Sequence, residues 1–160
     1  MGFGVSKLQT GKVVQMVNVV STAVATGTTV LPIDETIPQI TEGTEFMTLA
    51  ITPKHADNVL IIDVRVFASI GTDQRWATAA LFVGSTADAL AVGTSYIELA
   101  TEADIIPLLH KVTAGVTTAL TFRVRAGPDA AATLTFNGIS GGPAFGGITK
   151  SSITITEYTP

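Results

Sequence analysis

The sequence predicts an all-β chain folded as an antiparallel β-sandwich, jelly-roll-like, and three observations carry that prediction. Short segments alternate apolar and polar residues with a period of two. The 25 threonines fall repeatedly in that alternation, a composition suited to strands with one buried and one wetted face. Turn-forming breaks recur at roughly 8–15-residue spacing, with no amphipathic helix between them.

In chain order, Lys12 to Val20 opens the strand set, followed by a polar break at Thr26 to Thr29. Glu45 to Pro53 is next, and then NVLIIDVRVFASI, where Leu60, Ile62, Val64, Val66 and Ala68 point one way while Asp63, Arg65 and Ser69 point the other. Gly71 to Gln74 turns the chain into Arg75 to Val83. Ser85 to Ala91 reads as one helical turn capped by Ser85 or Thr86. Ser95 to Ala100 and Ile105 to Val112 are strands, the latter at an edge or bulged because Pro107 lacks a ladder donor. Leu120, Phe122 and Val124 face inward opposite Thr121, Arg123 and Arg125. After a break at Gly127 to Asp129, Leu134 and Phe136 face inward, and a Gly-rich loop spans Gly138 to Gly147. The final strand sets Ile153 and Ile155 against an outward hydroxyl row of Ser152, Thr154 and Thr156, able to pair across strands. A chain of 160 residues suffices for one full core. The expected organisation is an N-terminal segment, 1–35, serving as attachment or first-strand region, and a β-sandwich, 36–160, forming one compact unit with it.

Apolar residues make up 46% of the chain and charged residues 14%, against about 25% charged in ordinary domains. That balance excludes a disordered chain, and the absence of cysteine excludes a disulfide scaffold. A formal net charge of −4 with scattered lysines and arginines argues against nucleic-acid or anionic-membrane binding. Surplus apolar surface is best covered by copies of the chain. Ile61 and Phe67 sharpen the point, since they share a strand face with Asp63 and Arg65; a deep monomer core is the competing account. Val13 to Ile33 runs 21 residues without a charge, yet Gln15, Asn18, Gly27 and Pro32 make it a poor membrane span. Lys7, Lys12 and the Ala23-Val24-Ala25 stretch imitate a signal peptide, but the apolar run between them is short and broken. It reads as structured chain.

Candidate chemistry is sparse. Gly138-Ile139-Ser140-Gly141-Gly142 formally matches a nucleophile elbow, but a glycine-rich stretch follows instead of a helix, and no histidine lies downstream. His55 and His110 lack a second histidine at ligand spacing. Carboxylates cluster at Asp34-Glu35, Glu42 to Glu45 and Glu98 to Asp104, mostly in loops, where a solvated rim accounts for them. Lys150 follows Thr149 and not a glycine, so no phosphate-binding loop forms. Trp76, Phe82 and Tyr96 would make a sugar-stacking platform if exposed. The expectation is therefore a non-enzyme with no catalytic, cofactor-binding or metal-binding residue and no cofactor, its receptor contacts unassigned. A carbohydrate-binding β-sandwich is the alternative, and a glycan depolymerase with a carboxylate pair between subunits is the enzymatic competitor.

Four stretches, TIPQITEGTEFMTLAITPK (Thr36 to Lys54), ALFVGSTADALA (Ala80 to Ala91), TFRVRAGPDAAATLTFNG (Thr121 to Gly138) and FGGITKSSITITEY (Phe145 to Tyr158), resemble small β-rich virion proteins of tailed bacteriophages. The resemblance implies a homotrimeric β-sandwich located in the virion as a fibre, receptor-binding or capsid-decoration module. Its partners would be itself, other virion proteins, and a host cell-surface glycan or protein, with no nucleic acid and no membrane insertion. On that reading MGFGVSKLQTGKVVQMVNVV docks onto a larger virion protein.

Overall fold

The computed structural model describes residues 11–160. The strands are β1 (Val13–Ser21), β2 (Ala25–Gly27), β3 (Thr44–Ile51), β4 (Val59–Ile70), β5 (Arg75–Val83) and β6 (Ala91–Ile97). They continue with β7 (Ala103–Thr113), β8 (Leu120–Pro128), β9 (Leu134–Phe136), β10 (Gly138–Ile139), β11 (Gly142–Pro143) and β12 (Ser151–Tyr158). The one helical element among the described residues is a 3₁₀ turn at Phe145–Gly147. Thus the turn expected at Ser85 to Ala91 is not helical: Thr86 bonds back to the Val83 carbonyl through both its backbone and its hydroxyl, and the chain reverses there. Gly11 to Val20, the described part of the expected docking segment, lies mostly in β1; its first ten residues lie outside the described structure. No helix among the described residues is long and apolar enough to cross a membrane.

All pairings are antiparallel. One sheet runs β3-β8-β5-β6. In the other, β4 pairs along its length with β7 on one edge, while two strands share the opposite edge end to end. β12 takes Val59 to Arg65 and carries β1, and β9 takes Ala68 to Ile70 and carries β2. The two four-strand orders, β1-β12-β4-β7 facing β3-β8-β5-β6, are those of a jelly roll. Pro107 sits on β7 at the sheet's edge, as its missing N–H requires. The sandwich is pinched shut where β6 meets β7: a Cβ at Gly93 would stand 2.7 Å from the Pro107 carbonyl, so only glycine fits.

The core fills the space between the sheets. Leu60, Ile62, Val64, Val66, Ile153 and Ile155 from one side meet Ala77, Ala79, Leu81, Phe122 and Val124 from the other. A bulge between Glu45 and Met47 re-phases β3. Successive residues Phe46 and Met47 then both join the core, and Phe46 stacks on Phe136 with ring centroids 4.8 Å apart. The outer face of β5 is covered as well, because the segment before β3 lays Leu31 and Ile40 over Ala80 and Phe82.

One residue stitches the shared edge of β4. At Phe67, between β12 and β9, the backbone N–H donates to Ser151 Oγ at 2.9 Å and the carbonyl accepts from Asn137 N at 2.9 Å. The Ser151 hydroxyl in turn donates to Asn137 Oδ1 at 2.7 Å. Asn137 Nδ2 reaches the carbonyls of Ser21 and Ala23, at 2.8 and 3.2 Å, where β1 gives way to β2. Both ladder gaps are thereby satisfied by side chains. Ser151→Ala leaves Asn137 Oδ1 and the Phe67 N–H without partners in a buried place, and should cost about 2–4 kcal/mol. Urea unfolding should show the midpoint falling with an unchanged slope.

Candidate interaction face

The register of β1, β12, β4 and β7 places their outward side chains in rows. Met16, Thr156, Ile61 and Lys111 form one row; Asn18, Thr154, Asp63 and Leu109 the next; Val20, Ser152, Arg65 and Pro107 a third. Phe67 and Ile105 extend the face at one end, and Val59 and Tyr158 at the other. Ile61 and Phe67 do lie on this outward face, which mixes apolar side chains with hydroxyls and charges. Its edges are the most open parts, with Met16 62%, Leu109 70% and Ile105 50% exposed. In its middle stands one ion pair, Arg65 Nε to Asp63 Oδ1 at 3.5 Å. Across strands, Asn18 Nδ2 donates to Thr154 Oγ1 at 2.7 Å, so one member of the hydroxyl row pairs, with an amide.

The end of this sheet hides a carboxylate. Glu157 follows Ile153 and Ile155 on the inward row and is fully buried. Its oxygens accept from Asn58 Nδ2 at 2.6 Å, Gln15 Nε2 at 2.5 Å and the Lys54 N–H at 2.8 Å. No lysine or arginine pairs with it among the described residues. Burial alone would push this carboxyl up. The hydrogen bonds from Asn58, Gln15, Lys54 and the His55 backbone together outweigh burial and hold it below the ordinary glutamate value. Sequence reasoning missed this residue, although the period of two already assigns it inward. Its partners lie 99, 142 and 103 residues away in the chain.

The other candidates are dispersed. Ser140 (φ 51°) and Gly141 (φ 80°) form the two-residue turn between β10 and β11, a hairpin rather than an elbow. Ser140 Oγ donates to the Ala100 carbonyl at 3.3 Å. His55 lies in the exposed turn before β4, 3.6 Å from Asp57. His110 is half-buried, and desolvation pushes its imidazole down. Among the described residues no three His, Cys, Asp or Glu side chains converge. The carboxylate clusters pin loops and strands: Asp34 takes two bonds from Thr36, which hold its carboxyl down, and Glu42 caps Gln39 N. Glu45 receives a two-oxygen bond from Arg123, and Glu102 accepts from the Glu98 and Leu99 N–H groups. Trp76 and Tyr96 are exposed cross-strand neighbours with rings 5.0 Å apart and tilted by 60°, so they present no shared plane. Phe82 lies under Leu31. An open groove of about 520 Å³ at the β5/β8 end has Arg123 as its one charged wall, and that side chain is committed to Glu45 and the Gly84 carbonyl.

Residues 14–160 match the family model described as the Pgp3 C-terminal domain. The chain belongs to that family. The Pgp3 C-terminal domain family is chlamydial, which overturns the resemblance to phage virion proteins. The tail-fibre, receptor-binding and capsid-decoration roles, the virion location and docking to other virion proteins fall with it. The physical reason is plain: alternating Thr and Ile, Gly-rich turns and a greasy composition are demands of the sandwich, which unrelated lineages meet alike. No curated protein matches the chain. Among solved structures, it is similar to the Eiger TNF of S. frugiperda at 10% identity and a TM-score of 0.48, covering 89% of this chain and 92% of that one. It is also similar to a structure of infectious bursal disease virus, Gx strain, at 11% identity and TM-score 0.40, over 91% of this chain and 38% of that one. A VP2 subviral particle of the same virus gives 13% identity and TM-score 0.35, with the same coverages.

The Glu157 cage yields a signed pH dependence. Because the folded carboxyl sits below its unfolded value near 4.5, its contribution is complete above that value and is lost as pH falls toward the folded one. Glu157→Gln turns an acceptor into a group with two N–H donors facing other donors, and should cost about 2–4 kcal/mol at neutral pH. Urea midpoints measured from pH 7 to pH 3 should converge for the two proteins as acid protonates the wild-type carboxylate.

Proposed function

We propose that this Pgp3-family domain is a non-enzymatic self-assembly module, a homotrimer whose subunits bury the outward face of β1-β12-β4-β7 against one another. The observation that carries the reading is that face: three registered rows spanning four strands, with Met16 and Val20 open at one edge and Leu109 and Ile105 at the other, on a sheet whose other side already supplies the core. Large apolar side chains left open on such a mixed face are best covered by a second layer. Charge favours a second copy as that layer. The chain as a whole carries −4, yet this face holds Asp63 against Arg65 and Lys111, so copies meet where their mutual repulsion is least. Cyclic symmetry closes the assembly without leaving a free sticky face.

The non-enzymatic part rests on dispersal. Ser140, His55, His110 and the carboxylate clusters stand apart, and Ser140, His55, Glu42 and Glu102 are each bound to local backbone or a neighbouring loop. The Asp63–Arg65 pair sets orientation: exposed, such a pair contributes little, but inside an apolar interface only docking geometries that keep it partnered are tolerated.

Light scattering after size exclusion should return three times the 16.5 kDa chain mass, unchanged between low and high salt because the contact is mainly apolar. Leu109→Glu, at a position open in the isolated subunit, should leave the fold intact by circular dichroism and shift the mass to one chain. A wild-type monomer at micromolar concentration would overturn the reading.

A further inference from the structure

Asn137 and Gly138 form an Asn-Gly pair, and separate demands hold each residue in place. Asn137 adopts φ 56°, a region asparagine tolerates better than most residues bearing a side chain. Its amide also closes the two strand gaps. Gly138 lies so close to the Gly142 carbonyl that any Cβ would collide with it. The fold therefore compels the one dipeptide in which a following backbone nitrogen, unshielded by a side chain, most easily attacks the asparagine amide.

The geometry points to Asn137 as a deamidation site that the native fold holds inactive and that converts irreversibly when the joint at Phe67 opens. In the reaction, a bond forms between Gly138 N and Asn137 Cγ while the Cγ–N bond of the side-chain amide breaks. Ammonia leaves, carrying the proton lost by Gly138 N. The resulting five-membered imide takes up one water at either carbonyl, leaving aspartate or isoaspartate at position 137. In the native state Cγ cannot swing toward Gly138. Its nitrogen is held by the Ser21 and Ala23 carbonyls, at 2.8 and 3.2 Å, and its oxygen by Ser151 Oγ at 2.7 Å. The residue is also fully buried, away from the water the second step consumes.

Neither product fits the site. A carboxylate would face the Ser21 and Ala23 carbonyls with no proton to offer, three acceptors in a buried place. Isoaspartate lengthens the backbone by one carbon in a residue whose N–H reaches the Phe67 carbonyl and whose own carbonyl accepts from Thr149 Oγ1 at 2.7 Å. Opening of this joint is thus a one-way event once conversion has occurred. Asn18 and Asn58 are internal controls, because both precede valine, whose Cβ hinders ring closure.

The test is peptide mass analysis of the intact chain incubated at mildly alkaline pH, folded and in urea. In urea, Asn137 should gain the mass of an amide-to-acid exchange while Asn18 and Asn58 stay unchanged; the folded protein should convert at least about tenfold more slowly, in proportion to how rarely the joint opens. Ser151→Ala, which frees one end of the amide, should speed conversion under native conditions. Equal rates folded and in urea, or no conversion at Asn137 in urea, would overturn the assignment.

Discussion

The hydrogen bond from the Ser151 hydroxyl to Asn137 Oδ1 sits at the one place where the jelly roll could not otherwise be continuous. β4 is the longest strand, and no single partner runs the length of one of its edges. β12 and β9 divide that edge, as β1 and β2 divide the strand line beyond, and the two breaks fall side by side. Asn137 and Ser151 convert this double gap into a closed network, in which Phe67 keeps both backbone bonds and the Ser21 and Ala23 carbonyls find a donor. Buried networks of this kind are favourable only when every member is satisfied. The joint fixes where β12 begins, and with it the register of every outward row on the β1-β12-β4-β7 face.

That dependence links the core to the surface. The same period of two that sends Ile153 and Ile155 inward sends Thr154 and Thr156 outward beside Asp63 and Ile61. A slip of one residue would exchange the two sets completely. Glu157 guards the other end of the strand: its carboxylate fits only when Asn58, Gln15 and the Lys54 N–H converge on it. β12 is pinned at its first residue by a serine and near its last by a glutamate, both polar groups that tolerate no other alignment. The opposite sheet shows the same economy, with Arg123 and Arg125 of β8 reaching Glu45 on the β3 edge and the Glu42 and Gly43 carbonyls just before it.

Much of this was legible in the sequence, because alternation over nine or more residues leaves little choice of structure, as in β4 and β8. The turn residues and Pro107 likewise placed the strand ends and an edge to within a few positions. What escaped was information carried by distant partners. Glu157 looks like a surface acid beside Tyr158 until Gln15 of β1 and the β3–β4 loop, with Lys54 and Asn58, close over it. The cover of Leu31 and Ile40 over Phe82 comes from a stretch with no periodicity at all. Thr86 was read as a helix cap because caps and turn hydroxyls share one chemistry, and the neighbouring strand decides between them. The mixed outward face was legible in β4 alone, where Ile61 and Phe67 break the polar side. Lineage was not, since strand composition records the sandwich and not its ancestry.

The position of β12 also constrains how the chain acquires its shape. This strand lies between β1 and β4, yet it is the last of the described strands to leave the ribosome. The contact that closes it, between Lys12 and Thr159, spans 147 residues, a loop whose closure costs about 4 kcal/mol of chain entropy beyond a constant term. Until that closure, β1 and β4 face each other across an empty slot with their backbone groups unpaired. Such an interval exposes strand edges, and the folding rate falls as contacts become this distant in sequence. Nascent chains should therefore wait, with the other strands of both sheets already made, for the eight residues of β12, with the slot as the point at which a chaperone or a neighbouring chain's β12 competes for entry.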